Sequence, residues 1–97
     1  MNKLIISKRA QSEIENSFFW YQTASEIVAD KFTLELNNKL FEINAYPNRY
    51  SEKKPPYREV ALKRFPFSIV YKFYSKRNIV LIMSVFHFKR NPSKKYK

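Results

Sequence analysis

The 97-residue chain contains no cysteine and no glycine, and it has a single histidine. Without cysteine, disulfides, thiolate zinc sites and a cysteine nucleophile are excluded. One histidine with no second to help is a poor metal ligand set, so no metal ion and no cofactor are expected. Without glycine, a turn that needs a left-handed backbone falls to another residue, and Asn78 between two strand-like segments is the best placed. Long apolar runs are missing too. The opening stretch has only Leu4-Ile5-Ile6 in a row, short of a signal peptide, and a membrane span needs about twenty apolar residues. The expectation is a cytoplasmic protein with no membrane partner. Acidic residues are scarce, eight against nineteen Lys and Arg, and the formal net charge is +11.

What is present argues for one folded domain over residues 1–97. Apolar residues make up 44% of the chain and aromatics 18%, enough for a core and unlike a disordered composition. The charge is lopsided. Residues 1–48 carry Lys3, Lys8, Arg9, Lys31 and Lys39 against six acidic side chains, a net of −1. Residues 49–97 carry fourteen basic side chains against Glu52 and Glu59, a net of +12. The last part, 89–97, reads as a basic C-terminal tail. Such a distribution favours a polyanionic partner: nucleic acid, a ribosome, or an acidic protein segment.

Leu4-Ile5-Ile6 reads as a first strand, and Ser7 as the N-cap of a helix whose Ala10, Ile14, Phe18 and Tyr21 share one face. Ser25 is a second cap, with Glu26 and Asp30 where the helix dipole favours negative charge. The second helix carries Val28, Phe32, Leu36, Leu40 and Ile43 along one stripe, and Pro47 ends it. Three strand-like stretches follow. Val60 and Leu62 alternate with Glu59, Ala61 and Lys63; Phe67, Ile69, Tyr71 and Phe73 form one face of the next stretch; and Ile79 to Val85 is apolar on both alternations. The predicted order is β-α-α-β-β-β, an α+β fold in which an antiparallel sheet carries a helical hairpin on one face.

Several residues are candidates for chemistry or binding. Arg58 and Arg64 present guanidinium forks suited to an anion, though edge-strand charges also serve to deter sheet aggregation. His87, at the end of the last strand and three residues from Arg90, is the one side chain able to exchange a proton near neutral pH. Lys53 and Lys54, with Lys63, Lys89, Lys94 and Lys95, are placed to track a phosphate backbone. Trp20, Tyr50, Tyr57, Tyr74 and Tyr96 are aromatics able to stack on bases beside them.

In this order, Ala10…Ile14, Trp20-Tyr21, Phe32…Leu36…Leu40, Pro47…Tyr50, Tyr57-Arg58, Arg64-Phe65-Pro66-Phe67…Tyr71 and His87…Arg90-Asn91-Pro92 resemble the RelE/ParE superfamily of toxins from type II toxin–antitoxin systems. The resemblance spans nearly the whole chain and implies a toxin held inactive by a cognate acidic antitoxin. It implies one of two targets. RelE-like members are metal-independent endoribonucleases that cleave mRNA on the ribosome, whereas ParE-like members poison DNA gyrase. Several nuclease members place an arginine three residues before the strand tyrosine, where this chain has Ser68, and a late tyrosine, where position 88 is Phe88. For RNA cleavage the roles of base, phosphate stabiliser and leaving-group donor fall to His87, Arg58, Arg64 and Arg90. That reading is ranked first here, with gyrase inhibition and a non-catalytic basic binding module as alternatives.

Overall fold

Ser7 ends the first strand, β1 (Lys3–Ile6), and begins the first helix, α1 (Lys8–Ala24), in a computed structural model that describes residues 2–90. Its hydroxyl accepts a hydrogen bond from the Ala10 N–H at 3.1 Å and donates to the Met83 carbonyl at 2.9 Å. Ser25 repeats the device for α2 (Glu26–Ala45), accepting from the Val28 N–H at 3.3 Å. Each cap satisfies an amide that has no partner within its helix, which stabilises a helix by about 1 kcal/mol. Phe32, Leu36, Leu40 and Ile43 form the buried stripe of α2, as their spacing predicts, but its first buried residue is Ala29 where Val28 is expected, Val28 being half-buried; Pro47 stands just beyond the helix end. On α1, Ala10 and Ser17 are buried while Ile14 and Tyr21 are half-buried against the core.

Four more strands complete the sheet: β2 (Glu52–Lys54), β3 (Tyr57–Ala61), β4 (Phe67–Tyr74) and β5 (Ile79–His87). Their order is β1-β5-β4-β3-β2. The expected layering, a helical hairpin on one face of a largely antiparallel sheet, is present with two additions. β1 runs parallel to β5, pairing Lys3 with Ile79 through Ile6 with Ile82. β2 pairs antiparallel with β3 at the opposite edge. All three of its residues are exposed, so this edge strand leaves no apolar alternation in the sequence. Between β4 and β5 the turn ends at Asn78, which adopts φ 54° and ψ 44°, the left-handed conformation expected of it.

One core cluster joins Ala10, Phe32, Leu36, Leu40 and Ile43 of the hairpin to Phe67, Ile69 and Tyr71 of β4 and Val80, Ile82 and Val85 of β5. An aromatic group sits at its centre: Phe32 lies 5.3 Å from Tyr21, 5.4 Å from Phe65 and 5.1 Å from Phe67, ring centre to ring centre. The opposite alternation is buried as well at Ser68, Val70, Ser84 and Phe86, in keeping with central strands covered on both faces.

The β4–β5 register shifts once. Tyr71 pairs with Ile82 but Val70 pairs with Ser84, so Met83 is an inserted residue. A bulge of this kind reverses the side-chain alternation beyond it. His87 therefore shares the core-facing side with Val80, Ile82 and Val85, not the alternation of Ile79, Leu81 and Met83 that simple counting assigns to it.

Candidate functional site

His87 closes β5 opposite Phe67, and its ring meets the Phe67 ring edge-on at 5.1 Å. The chain then turns, and the Arg90 N–H donates to both the carbonyl and Nδ1 of His87, each at 3.1 Å. With Nδ1 engaged as an acceptor, the neutral ring carries its proton on Nε2. Burial lowers the His87 pKa below the ordinary histidine value, and the positive charges of Arg90 and Lys89 lower it further. At neutral pH the ring is thus an uncharged Nε2 donor. That state holds a hydrogen bond well and is a poor base for a 2′-hydroxyl, whose proton needs a free ring nitrogen.

Around His87 lies a polar recess of about 180 Å³, walled by α1 and the end of β5 and lined by Glu13, Asn16, Ser17, Phe67, Val85, Phe86, His87 and Arg90. Glu13 is its structural anchor. One carboxylate oxygen accepts from the Ser84 hydroxyl at 2.8 Å and the Val85 N–H at 3.0 Å, and Arg9 pairs with the other at 3.6 Å. At the rim the Arg90 guanidinium stacks over Trp20, 5.2 Å from its ring centre, and Trp20 is more than half exposed.

The other candidate cations are elsewhere. Arg64 stands in the loop between β3 and β4, whose backbone is fixed to α2: the Glu35 carboxylate accepts the N–H groups of both Lys63 and Arg64. The two side chains are exposed there and, with Lys31, Leu34, Glu35 and Asn38, line a recess of about 260 Å³ on the α2 side. Arg58 lies on β3 opposite Tyr71 and donates to the Tyr50 carbonyl at 2.6 Å, so it pins the loop after α2. Lys53 and Lys54 are exposed on β2, and Lys89 is exposed in the turn after β5. Lys94, Lys95 and Tyr96 lie outside the described residues. Of the four residues assigned to catalysis, His87 and Arg90 share this recess, whereas Arg64 lines the one on the α2 side. Among the aromatics, Trp20 and Tyr74 are exposed, whereas Tyr50 and Tyr57 are half-buried and engaged with Lys39 and Lys72.

The loop pinned by Arg58 carries a dense polar network. Glu42 accepts from Lys39 at 3.0 Å, from the Tyr50 hydroxyl at 2.9 Å and from Arg49. Nearby the Tyr71 hydroxyl donates to the Pro47 carbonyl at 2.7 Å, and burial raises its pKa to about 12 against the opposing charge of Arg58. Hydrogen bonds from Lys39, Arg49 and Tyr50 lower the Glu42 pKa to about 2. A carboxylate depressed on folding adds stability above its unfolded value, and that stability is lost as pH falls toward its folded value. Glu42 should therefore stay ionised through pH 3 in a carbon-detected NMR titration of the native protein. Removing the phenol oxygen with Tyr50→Phe should move its midpoint upward. A midpoint at the ordinary glutamate value would show that the network does not hold in solution.

Among the described residues no helix is long and apolar enough to cross a membrane, and no group of three acidic or histidine side chains is placed to hold a metal. The family described as ParE toxin of type II toxin–antitoxin system, parDE, matches residues 4–92. The chain belongs to this ParE toxin family. No curated protein matches the chain significantly in sequence. In structure it is similar to the chromosomal ParDE toxin–antitoxin system from P. aeruginosa, with a TM-score of 0.76 at 16% identity over 90% of this chain and 96% of that one. It is also similar to the intact E. coli RelBE toxin–antitoxin complex, at TM-score 0.60 and 19% identity over 88% of this chain and 94% of that one. The isolated E. coli RelE toxin gives TM-score 0.61 and 19% identity over 90% of this chain and 84% of that one. At these identities the likeness is one of fold.

Sequence reasoning passed over Glu13 and Glu35, the two carboxylates that fix the backbone on either side of the candidate site. Each acts on residues far along the chain, and nothing local to it marks the role.

Proposed function

We propose that this ParE-family toxin arrests growth by binding DNA gyrase, and that a cognate acidic antitoxin restrains it. The observation that carries the choice of target is the family match over residues 4–92, which is to the ParE branch. The ranking drawn from sequence, with mRNA cleavage first, is reversed on that ground, and the site geometry agrees. Metal-free RNA cleavage needs a base, a phosphate stabiliser and a leaving-group donor converging on one phosphate. Here Arg58 is committed to the Tyr50 carbonyl, Arg64 stands over α2, and the ring nitrogen that a base would use on His87 is occupied. A protein that works by binding needs no such convergence.

The test is a pair of assays on the purified protein. Supercoiling by gyrase should be inhibited at near-stoichiometric toxin, while a cell-free translation extract should continue at its normal rate with intact mRNA. His87→Gln, which keeps a polar group at the end of β5, should leave supercoiling inhibition within about twofold, since no proton transfer is at stake. Translation arrest with cleaved message, abolished by the same substitution, would overturn the reading in favour of ribosome-dependent cleavage.

A further inference from the structure

The turn after β5 is closed by the side chain that precedes it. The Arg90 N–H is shared between the carbonyl and Nδ1 of His87, each at 3.1 Å. The bond to Nδ1 exists only while the ring is neutral, because an imidazolium has no acceptor nitrogen. The same turn sets the Arg90 guanidinium over Trp20, 5.2 Å from its ring centre, which ties the end of the sheet to α1. His87 and Trp20 are the chain's single histidine and single tryptophan. One proton on the histidine undoes the first of these two contacts.

The groups around the ring decide where it goes once charged. Its own segment brings Arg90 and Lys89, which both repel an imidazolium. From α1 comes Glu13, which lines the same recess and attracts one; Arg9 stands 3.6 Å from the carboxylate oxygen that Ser84 and Val85 do not use. Tyr21 of α1 is a phenol whose pKa burial raises, so it stays neutral in this range. β4 brings Phe67, edge-on and uncharged. Burial and the two cations hold the closed ring below the ordinary histidine value of 6.5, whereas a ring released to solvent has that ordinary value. The closed turn is therefore fully favoured above pH 6.5 and is lost as pH falls below it.

We infer that His87 and Arg90 form a proton-operated latch: on taking up a proton, the His87 ring swings from the Arg90 N–H toward the Glu13 carboxylate, the turn opens, and the guanidinium leaves Trp20. One rim thus has two states. At neutral pH the ring is uncharged and Arg90 is folded down. In acid the rim gains a charge, a free guanidinium and an uncovered indole face beside exposed Phe19, so it offers a partner a different surface. Nothing in the pairing of β5 with β4 has to change for this. The latch stands whichever target the toxin has.

The test is an NMR titration of the full chain from about pH 8 to about pH 5, the range in which histidine changes charge. It follows the His87 ring, the Arg90 amide and the Arg90 side-chain protons, which the indole shields while they lie over it. The His87 midpoint should fall below the ordinary value. At that same midpoint the Arg90 amide should lose its hydrogen-bonded shift and the side-chain protons their ring-current shift. The Val80 amide, on the stretch of β5 that β1 covers, should stay where it is. In His87→Gln, whose amide oxygen accepts the Arg90 N–H at every pH in the range, the Arg90 signals should not move. Arg90→Ala removes the nearest repelling charge and should shift the His87 midpoint upward. A wild-type midpoint at or above the ordinary value would overturn the latch, as would a ring that titrates while the Arg90 signals hold still. So would a Val80 amide that moves with the same midpoint, because the fold as a whole would then be opening. Should His87→Gln fail to fold, the wild-type titration still decides among these outcomes.

Discussion

Replacing Phe32 with alanine should cost about 3–5 kcal/mol of stability, the range for emptying a buried aromatic site that cannot collapse. Phe32 is wholly buried at the point where α2 meets both the sheet and the loop between β3 and β4. Its ring contacts Tyr21 of α1, Phe65 of the loop and Phe67 of β4, all at 5.1–5.4 Å between centres. Those geometries are tilted or edge-on, and each pair adds about 0.5–1.5 kcal/mol beyond the area buried. A domain of this size has only about 5–15 kcal/mol in hand, so the variant should sit close to unfolding at 37 °C. Urea unfolding gives the number directly. A loss below about 1 kcal/mol would mean that neighbouring rings refill the space, and the aromatic group would then not be the fixed centre described here. Phe32→Leu keeps most of the volume and should recover much of the loss. Because Phe65 leans on Phe32, the alanine variant should also loosen the loop that presents Lys63 and Arg64.

That loop shows what can be read locally and what cannot. Both helix caps, the core stripe of α2 from Phe32 to Ile43 and the left-handed Asn78 follow from residues within a turn or two of one another, and the structure has them where spacing puts them. The bulge at Met83 has no such local cause. It is a property of the β4–β5 pairing, and it carries His87 from one alternation to the other. β2 escaped because an edge strand of Glu52, Lys53 and Lys54 is exposed on every side chain, so no hydrophobic period records it. Contacts across 28 residues (Glu35 to Lys63) and 71 residues (Glu13 to Ser84) leave no periodic trace at all.

Glu13 carries the second large effect. β1 covers the edge of β5 only as far as Ile82, and beyond that point α1 runs beside the strand. Ser7 supplies the first contact there: its N–H donates to the Ile82 carbonyl and its hydroxyl to that of Met83. The next edge donors, the Val85 N–H and the hydroxyl of fully buried Ser84, both point to one oxygen of Glu13. Glu13→Ala would strand both. A buried donor left without an acceptor costs about 1–3 kcal/mol, so the variant should lose about 2–4 kcal/mol. Glu13→Gln keeps a carbonyl oxygen in the same place and should lose less than half of that. Ser84→Ala removes one of the two donors, and in its background Glu13→Ala should cost correspondingly less; such coupling separates this bond from the long, half-exposed Arg9 pair at 3.6 Å, which is worth little. The consequence reaches the recess beyond. Val85, His87 and Arg90 follow the edge that Glu13 holds, so amide exchange at Val85 should quicken in Glu13→Ala more than at Val80, where β1 still covers the strand. Equal protection at the two positions would show that backbone pairing with β4 alone fixes the end of β5.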